Sequence, residues 1–329
     1  MKAKAKIRNT MLKVIAKPNM NRVLKLEQDL YNNKNSYKST TVSPERFEIL
    51  YEILKLKDDN VKLPGFPRTI PIIGSSISDI KNTLNLLSEN NGHTSKKVNK
   101  SFIKELEEYA KTLGVGSIGY TKVPRKYIFK DFAIMYDNAI VFTMEMNKDI
   151  LENAPDYSTG VMVHKTYNKL GKISMKIAEF LRKNGCDAHV GHPLMGQTLY
   201  PALGELAGLG FHGNHGMLIT PKFGPRVRIA AVYTNIENLP INLSDKHKWI
   251  EEFCGKCKIC VKKCPGEAIY QNSIKNEYGI IKSVDSHKCF KIFSEKHGCT
   301  VCMKVCPFNQ VGYEKLYNAH KTKINNSKD

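Results

Sequence analysis

Eight of the nine cysteines fall into two tight sets near the C-terminal end, with spacings that no packing requirement imposes. The first set is Cys254, Cys257, Cys260 and Cys264-Pro265, a C-x2-C-x2-C-x3-C-P run; the second is Cys289, Cys299, Cys302 and Cys306-Pro307, which repeats the ending after a longer gap. Thiolates at these intervals hold [4Fe-4S] cubes, and in this run the fourth thiolate ligates the other of two clusters. The spacing predicts Cys254, Cys257, Cys260 and Cys306 on the first cluster, and Cys264, Cys289, Cys299 and Cys302 on the second. Zinc also accepts C-x2-C pairs, but a tetrahedral zinc site gives no reason for two C-x3-C-P endings. Two such clusters relay single electrons, so the terminal acceptor must sit elsewhere. Cys186, in the turn "KNGCDAH", reads as a small filler at a helix end.

The elements that position these thiolates come from a chain of 329 residues with 41% hydrophobic content, enough to fill real cores. No apolar run is long enough to span a membrane, and the basic N-terminus "MKAKAKIRNTMLKVIAKPNM" has neither a sustained apolar stretch nor a twin-arginine pair. The expectation is a cytoplasmic protein in which clustered cysteines bind metal rather than form disulfides. The net charge of +20 is spread along the chain as lysine and reads as a solvated basic surface rather than a nucleic-acid footprint. Residues 1–95, with loops such as "LYNNKNSYKSTT" around short helical pieces such as "PERFEILYEILKL", read as a peripheral cap. Phe102, Leu106, Tyr109, Ala110 and Leu113 recur at helical spacing before Gly114. "NAIVFTMEM" (138–146) predicts a buried strand, and Leu170, Ile173, Ile177 and Leu181 the apolar face of a helix from about Thr166 to Asn184. Beyond the glycine-rich stretch that contains Gly204, two strands are predicted, Met217–Thr220 and Val227–Thr234, joined through "PKFGP". The Lys-rich tail from Lys321 is expected to fray.

The stretch from "AIVFTMEM" through "GMLITPKFGPRVRIAAVYTNI" to "CTVCMKVCPFN", about residues 100 to 310, resembles the corrinoid and iron-sulfur reductases, namely reductive dehalogenases and epoxyqueuosine reductases. The segment "LITPKFGPR" and the gap in "DSHKCFKIFSEKHGC" are closer to the dehalogenase branch. The resemblance implies an α+β chain: an N-terminal cap (1–95), a nitroreductase-like corrinoid-binding α/β domain (96–245), a ferredoxin-like domain with two [4Fe-4S] clusters (246–312) and a basic tail (313–329). It implies a cobalamin bound with its lower base detached, with Gly208, Gly210, Gly213, Asn214, His215, Gly216 and His192 against it. Tyr167 in "HKTYNKLGK" falls where dehalogenases keep a proton-donating tyrosine and epoxyqueuosine reductases an aspartate. Arg228 in "GPRVR" falls where an arginine helps that tyrosine ionise. Periodicity alone reads Tyr167 equally as a core tyrosine and Arg228 as a solvent-facing strand residue, although a buried cation beside a phenol does favour the phenolate.

The pattern departs from the dehalogenases at two places, which implies an altered substrate pocket. His192 or Pro193 stands where they carry an asparagine, and Asn214-His215 where they read Arg-Asn. His189, His192, His212 and His215 lack good metal spacing and read as hydrogen-bonding or substrate contacts. The expected function is a cobalamin-dependent reductase fed by a low-potential donor, ferredoxin or flavodoxin, and acting on a small organic substrate, an organohalide first, without a membrane partner. Two alternatives stay open. One is an epoxyqueuosine reductase acting on tRNA, supported by the basic charge and opposed by the tyrosine. The other is a corrinoid-handling protein that reduces a partner's cobalt.

Overall fold

The computed structural model describes residues 18–47, 64–89 and 95–325, with side chains as far as residue 322. A helix expected over "PERFEILYEILKL" falls mostly on residues outside these; Pro44 to Phe47, which are described, are not helical.

The core is a four-stranded antiparallel sheet built from β1 (Ser117–Lys122), β2 (Asn138–Glu145), β3 (Ala188–Gly191) and β4 (Val227–Thr234), in the order β1-β2-β4-β3. Side chains alternate between faces along a strand, so a strand buried at nearly every position must be covered on both. Both central strands are of that kind. Ile140, Phe142, Ala230 and Val232 pack with Leu170, Ile173, Ile177 and Leu181 of the helix Tyr157–Lys183. Ala139, Val141, Ile229, Ala231 and Tyr233 face the other way, onto Leu203, Leu209, Leu218 and Phe223.

The helix Tyr157–Lys183 starts well before the predicted Thr166, at an N-cap where the Asp156 carboxylate accepts from the Ser158 amide. Its first turns contain Thr159, Gly160, Val161 and Val163, which are weak helix formers, so packing rather than propensity extends it. Gly160 shows the reason: a Cβ there would stand 2.5 Å from the carbonyl oxygen of His297 in the cysteine region. The helix Lys100–Thr112 is capped by Asn99 and lies where its apolar spacing predicts. The predicted pair Met217–Thr220 and Val227–Thr234 separates. Leu218–Ile219 forms a small hairpin with Phe211–His212, and only the second segment joins the central sheet.

The described N-terminal residues pack onto the core as a layer of their own. Met20, Val23 and Leu30, from a helix over 18–32, pack on Ile73, Ile77, Ile80 and Leu84 of the helix Thr69–Asn85, and this layer reaches Ala133 and Met195 of the core. A bidentate pair between Arg46 and Glu27, both nearly fully buried, ties the segment down.

After the helix Trp249–Cys257, the cysteine region forms a hairpin of Ile269–Lys275 with Ile281–Val284, the helix Ser286–Glu295, and short helices at Ile259–Lys262, Val301–Lys304 and Pro307–Gln310. The C-terminal segment is helical over Tyr313–Asn325, and Tyr313, Leu316 and Tyr317 pack against Trp249 and Phe308; the end of the tail expected to fray lies outside the described residues. Among the described residues no helix is long and apolar enough to cross a membrane.

Candidate functional site

A cavity of about 480 Å³ opens where three parts of the chain meet. The N-terminal layer contributes Arg46, Phe47 and Ile73; the core contributes His164, Tyr167, Tyr200, His215, Met217 and Arg228; the cysteine region contributes Cys264, Cys289, Cys299 and Cys302. The wall is largely apolar, with a few polar groups set into it, the usual make-up of a site for a large organic ligand.

Tyr167 lies in the first half of the long helix, and Arg228 is the second residue of β4, opposite Met144. The guanidinium carbon of Arg228 stands 4.5 Å from the centre of the Tyr167 ring, over its face. The contact is a cation–π interaction, which fixes the ring and places a positive charge beside it. The Arg228 Nε has no protein partner. His164, one turn before Tyr167, has its ring centre 6.5 Å from that of the tyrosine, and its buried Nε2 is also unpartnered. Burial, assisted by the charge of Arg228, pulls His164 down to about 4, so it is neutral at physiological pH. Buried polar atoms are rarely left without a hydrogen bond, and these two orphans sit on residues that line the large cavity. The residues present therefore fit a bound polar-edged macrocycle or substrate. The i, i+3 spacing of His164 and Tyr167 on one helix face was the available sequence signal for the histidine.

The thiols sort into two groups. Cys264, Cys289, Cys299 and Cys302 border the large cavity, whereas Cys254, Cys257, Cys260 and Cys306 line a second, small one together with Asn214, His215, Phe253 and Phe308. Burial pushes the thiols of Cys254, Cys260 and Cys289 up to about 11, and those of Cys302 and Cys306 further still, with repulsion between neighbouring thiolates adding to it. Thiolates are the ligating form, so such a group needs a strongly positive centre to carry its charge. Among the described residues no three His, Cys, Asp or Glu side chains converge on a single ion. Thiolates that hold a four-iron cube stand at its corners, further apart than the ligands of one zinc. The two loops also repeat in backbone shape: Lys258, after Cys257, has φ 51°, and Thr300, after Cys299, has φ 61°.

The glycine-rich loop packs closely on its own neighbours. Gly210 lets the chain pass close against the Ile219 carbonyl, and Gly213 and Gly216 close a turn through a 2.8 Å hydrogen bond from the Gly216 amide to the Gly213 carbonyl. Gly208, Gly210, Gly213 and Gly216 line neither cavity. His215 lines both, Asn214 the small one, and Met217 the large one. His192 is fully buried with its ring against Gly171 and outside the cavity wall, which Pro193 reaches instead. His189 packs on Tyr233, and His212 bonds to Glu205. These four histidines do not meet at a common point.

The family described as 4Fe-4S binding domain matches residues 247–270, which contain the first cysteine run. The chain is 34% identical over 190 residues to a tetrachloroethene reductive dehalogenase of Desulfitobacterium hafniense, covering 53% of this chain and 33% of that protein. It is 26% identical over 251 residues to an epoxyqueuosine reductase of Bacillus subtilis (strain 168), covering 63% of each. The chain thus spans about a third of the length of the dehalogenases it matches. Among solved structures, the catabolic reductive dehalogenase NpRdhA superposes with a TM-score of 0.57 at 18% identity, over 71% of this chain and 37% of that one. A reductive dehalogenase whose structure is described as suggesting a mechanism for B12-dependent dehalogenation gives 0.58 at 19% identity, over 72% and 36%. At that identity the likeness shows a shared fold, with a mixed α/β core and a ferredoxin-like region after it.

Proposed function

We propose that this chain, whose homologues are reductive dehalogenases and epoxyqueuosine reductases, is a corrinoid- and iron-sulfur-dependent reductase of a small organic substrate. The observation that carries the proposal is a single cavity with four cysteines on one wall and Tyr167 with Arg228 on another. Cys264, Cys289, Cys299 and Cys302 would hold the cluster nearer the cavity, and Cys254, Cys257, Cys260 and Cys306 the one farther from it. A corrinoid in the cavity would supply the metal through which electrons reach the substrate. The chain's own part is binding, exclusion of water and proton supply. The apolar wall shuts water out. The Tyr167 hydroxyl donates a proton to the reduced substrate, and the Arg228 charge at its ring face stabilises the phenolate left behind. A low-potential cytoplasmic ferredoxin or flavodoxin is the proposed donor.

An organohalide is the proposed substrate, supported by the higher identity to dehalogenases and by the Tyr167–Arg228 contact. Epoxyqueuosine in tRNA is the second candidate, supported by the net charge of +20 and by the greater coverage of the Bacillus relative. Anaerobic reconstitution with iron, sulfide and cobalamin, followed by absorption spectra and a substrate panel, separates them. Corrinoid binding with halide release is the expected result. Loss of the epoxide from tRNA selects the second candidate, and reduction of an added corrinoid protein without substrate turnover selects a corrinoid-handling role. Failure to bind corrinoid overturns the proposal.

A further inference from the structure

We propose that His215 is a redox-tuning residue that donates a hydrogen bond to the iron-sulfur cluster held by Cys254, Cys257, Cys260 and Cys306. The proposal rests on the cluster assignment above and moves His215 from the corrinoid to the iron.

The tautomer is fixed by a backbone contact. The Met217 amide donates to His215 Nδ1 at 3.2 Å, so Nδ1 is an acceptor and the ring proton lies on Nε2. That Nε2 is buried, on a side chain 4% exposed, and has no hydrogen-bond partner in the protein. A buried N–H without an acceptor is a costly feature unless a bound group supplies one. His215 stands in the wall common to the large cavity and the small cysteine-lined one.

The neighbouring residue shows which side the loop serves. The Asn214 backbone N–H already donates to the Cys254 sulfur, and the Asn214 side chain is tied to the cysteine region through the Tyr270 carbonyl at 3.2 Å and Lys258 Nζ at 3.4 Å. The loop thus already presents one donor to this set of thiols, and His215 follows it in the wall of the same small cavity. Gly213 is needed for this, because a Cβ there would stand 2.8 Å from the His215 ring and push it aside. The sulfurs of a cluster gain negative charge on reduction, so an N–H aimed at them favours the reduced state and raises the potential.

The test is a potentiometric titration followed by electron paramagnetic resonance on the full reconstituted chain, comparing the parent with His215→Leu and His215→Gln. A hydrogen bond to a charged acceptor is worth enough to shift the reduction equilibrium about tenfold, which is about 59 mV for a one-electron couple. His215→Leu is expected to lower the potential of one cluster by about that amount and leave the other in place, whereas His215→Gln, which keeps an N–H, recovers part of the shift. In parallel, pulsed resonance after exchange into deuterium oxide should show, beside the Asn214 amide deuteron common to both proteins, a second exchangeable deuteron coupled to that cluster in the parent and not in His215→Leu. Absence of that second deuteron in the parent overturns the inference even where the leucine variant does not assemble. Unchanged potentials in a fully loaded His215→Leu also overturn it, as does a shift confined to the cobalt couple, which returns His215 to the corrinoid. A parent chain that takes up no iron-sulfur cluster fails at the cluster assignment itself and is distinguishable from all of these.

Discussion

Tyr167 and Arg228 separate an enzyme from an electron relay. Tyr167→Phe keeps the ring under the guanidinium and removes only the proton, so turnover should fall by roughly 10²–10⁴-fold with cluster content and corrinoid binding unchanged. Arg228→Met should also slow turnover, and the double variant should be far from additive because the two side chains touch. Single-turnover halide release checks both, and unchanged rates in Tyr167→Phe would remove the phenol from the chemistry. His189 and His192 make a different kind of prediction. Burial lowers both to about 3, so the folded chain keeps them neutral while the unfolded chain protonates them near 6.5. The unfolded state then binds more protons between those values, and stability falls as pH drops below about 6.5, by about 1.4 kcal/mol per pH unit for each histidine. Urea denaturation at pH 7.5, 6.5 and 5.5 should show a steeper decline in the parent than in a His189→Gln/His192→Gln double variant. Parallel declines would mean that these two rings are not what acid attacks.

Among the elements, the long helix shows what a sequence discloses and what it withholds. Its second half was legible because Leu170, Ile173, Ile177 and Leu181 repeat at helical spacing against one sheet face. Its first turns were not, because Gly160 and its β-branched neighbours are selected by a contact with residue 297, and no local pattern carries a contact that distant. For the same reason the cysteine spacing was readable and the cavity was not. Ligand intervals are local, whereas Arg46, Tyr167, Arg228 and Cys302 converge from four separate parts of the chain. The two-residue pairing of Leu218 with His212 and of Ile219 with Phe211 was likewise beyond reach, since a strand that short has no period to read. Gly160→Ala tests the helix argument. Alanine is the better helix former by about 1 kcal/mol, yet its methyl would collide with the His297 carbonyl, and overpacking of this kind costs about 1–3 kcal/mol. A lower melting temperature together with easier loss of iron is the expected outcome; a simple gain in stability would show that the helix does not press on the cysteine region as described.

At the scale of the molecule, the proposed cluster assignment implies a direction for electrons. The small cavity with Cys254, Cys257, Cys260 and Cys306 lies away from Tyr167, while Cys264, Cys289, Cys299 and Cys302 share the large cavity with it. Electrons should therefore enter at the first cluster and leave from the second. In the proposed assignment the two clusters exchange one ligand across the sequence repeat, which makes the phenotypes of single cysteine variants pair in a way that uncrossed ligation does not. Cys264→Ala should resemble Cys299→Ala, although Cys264 stands four residues from Cys260 in the first run. Cys306→Ala should resemble Cys257→Ala. In each case anaerobic reconstitution should yield about four iron atoms instead of about eight, one cube being left. The members of the first pair should keep a cluster that a chemical reductant still reduces, yet lose most of the electron transfer to added cobalamin, because the missing cube is the one at the cavity. Rapid-freeze resonance spectra of the cluster and cobalt signals read both steps in one sample. If Cys264→Ala instead behaves like Cys260→Ala, the thiols do not cross, and the cavity-side position of Cys264 reflects packing rather than ligation.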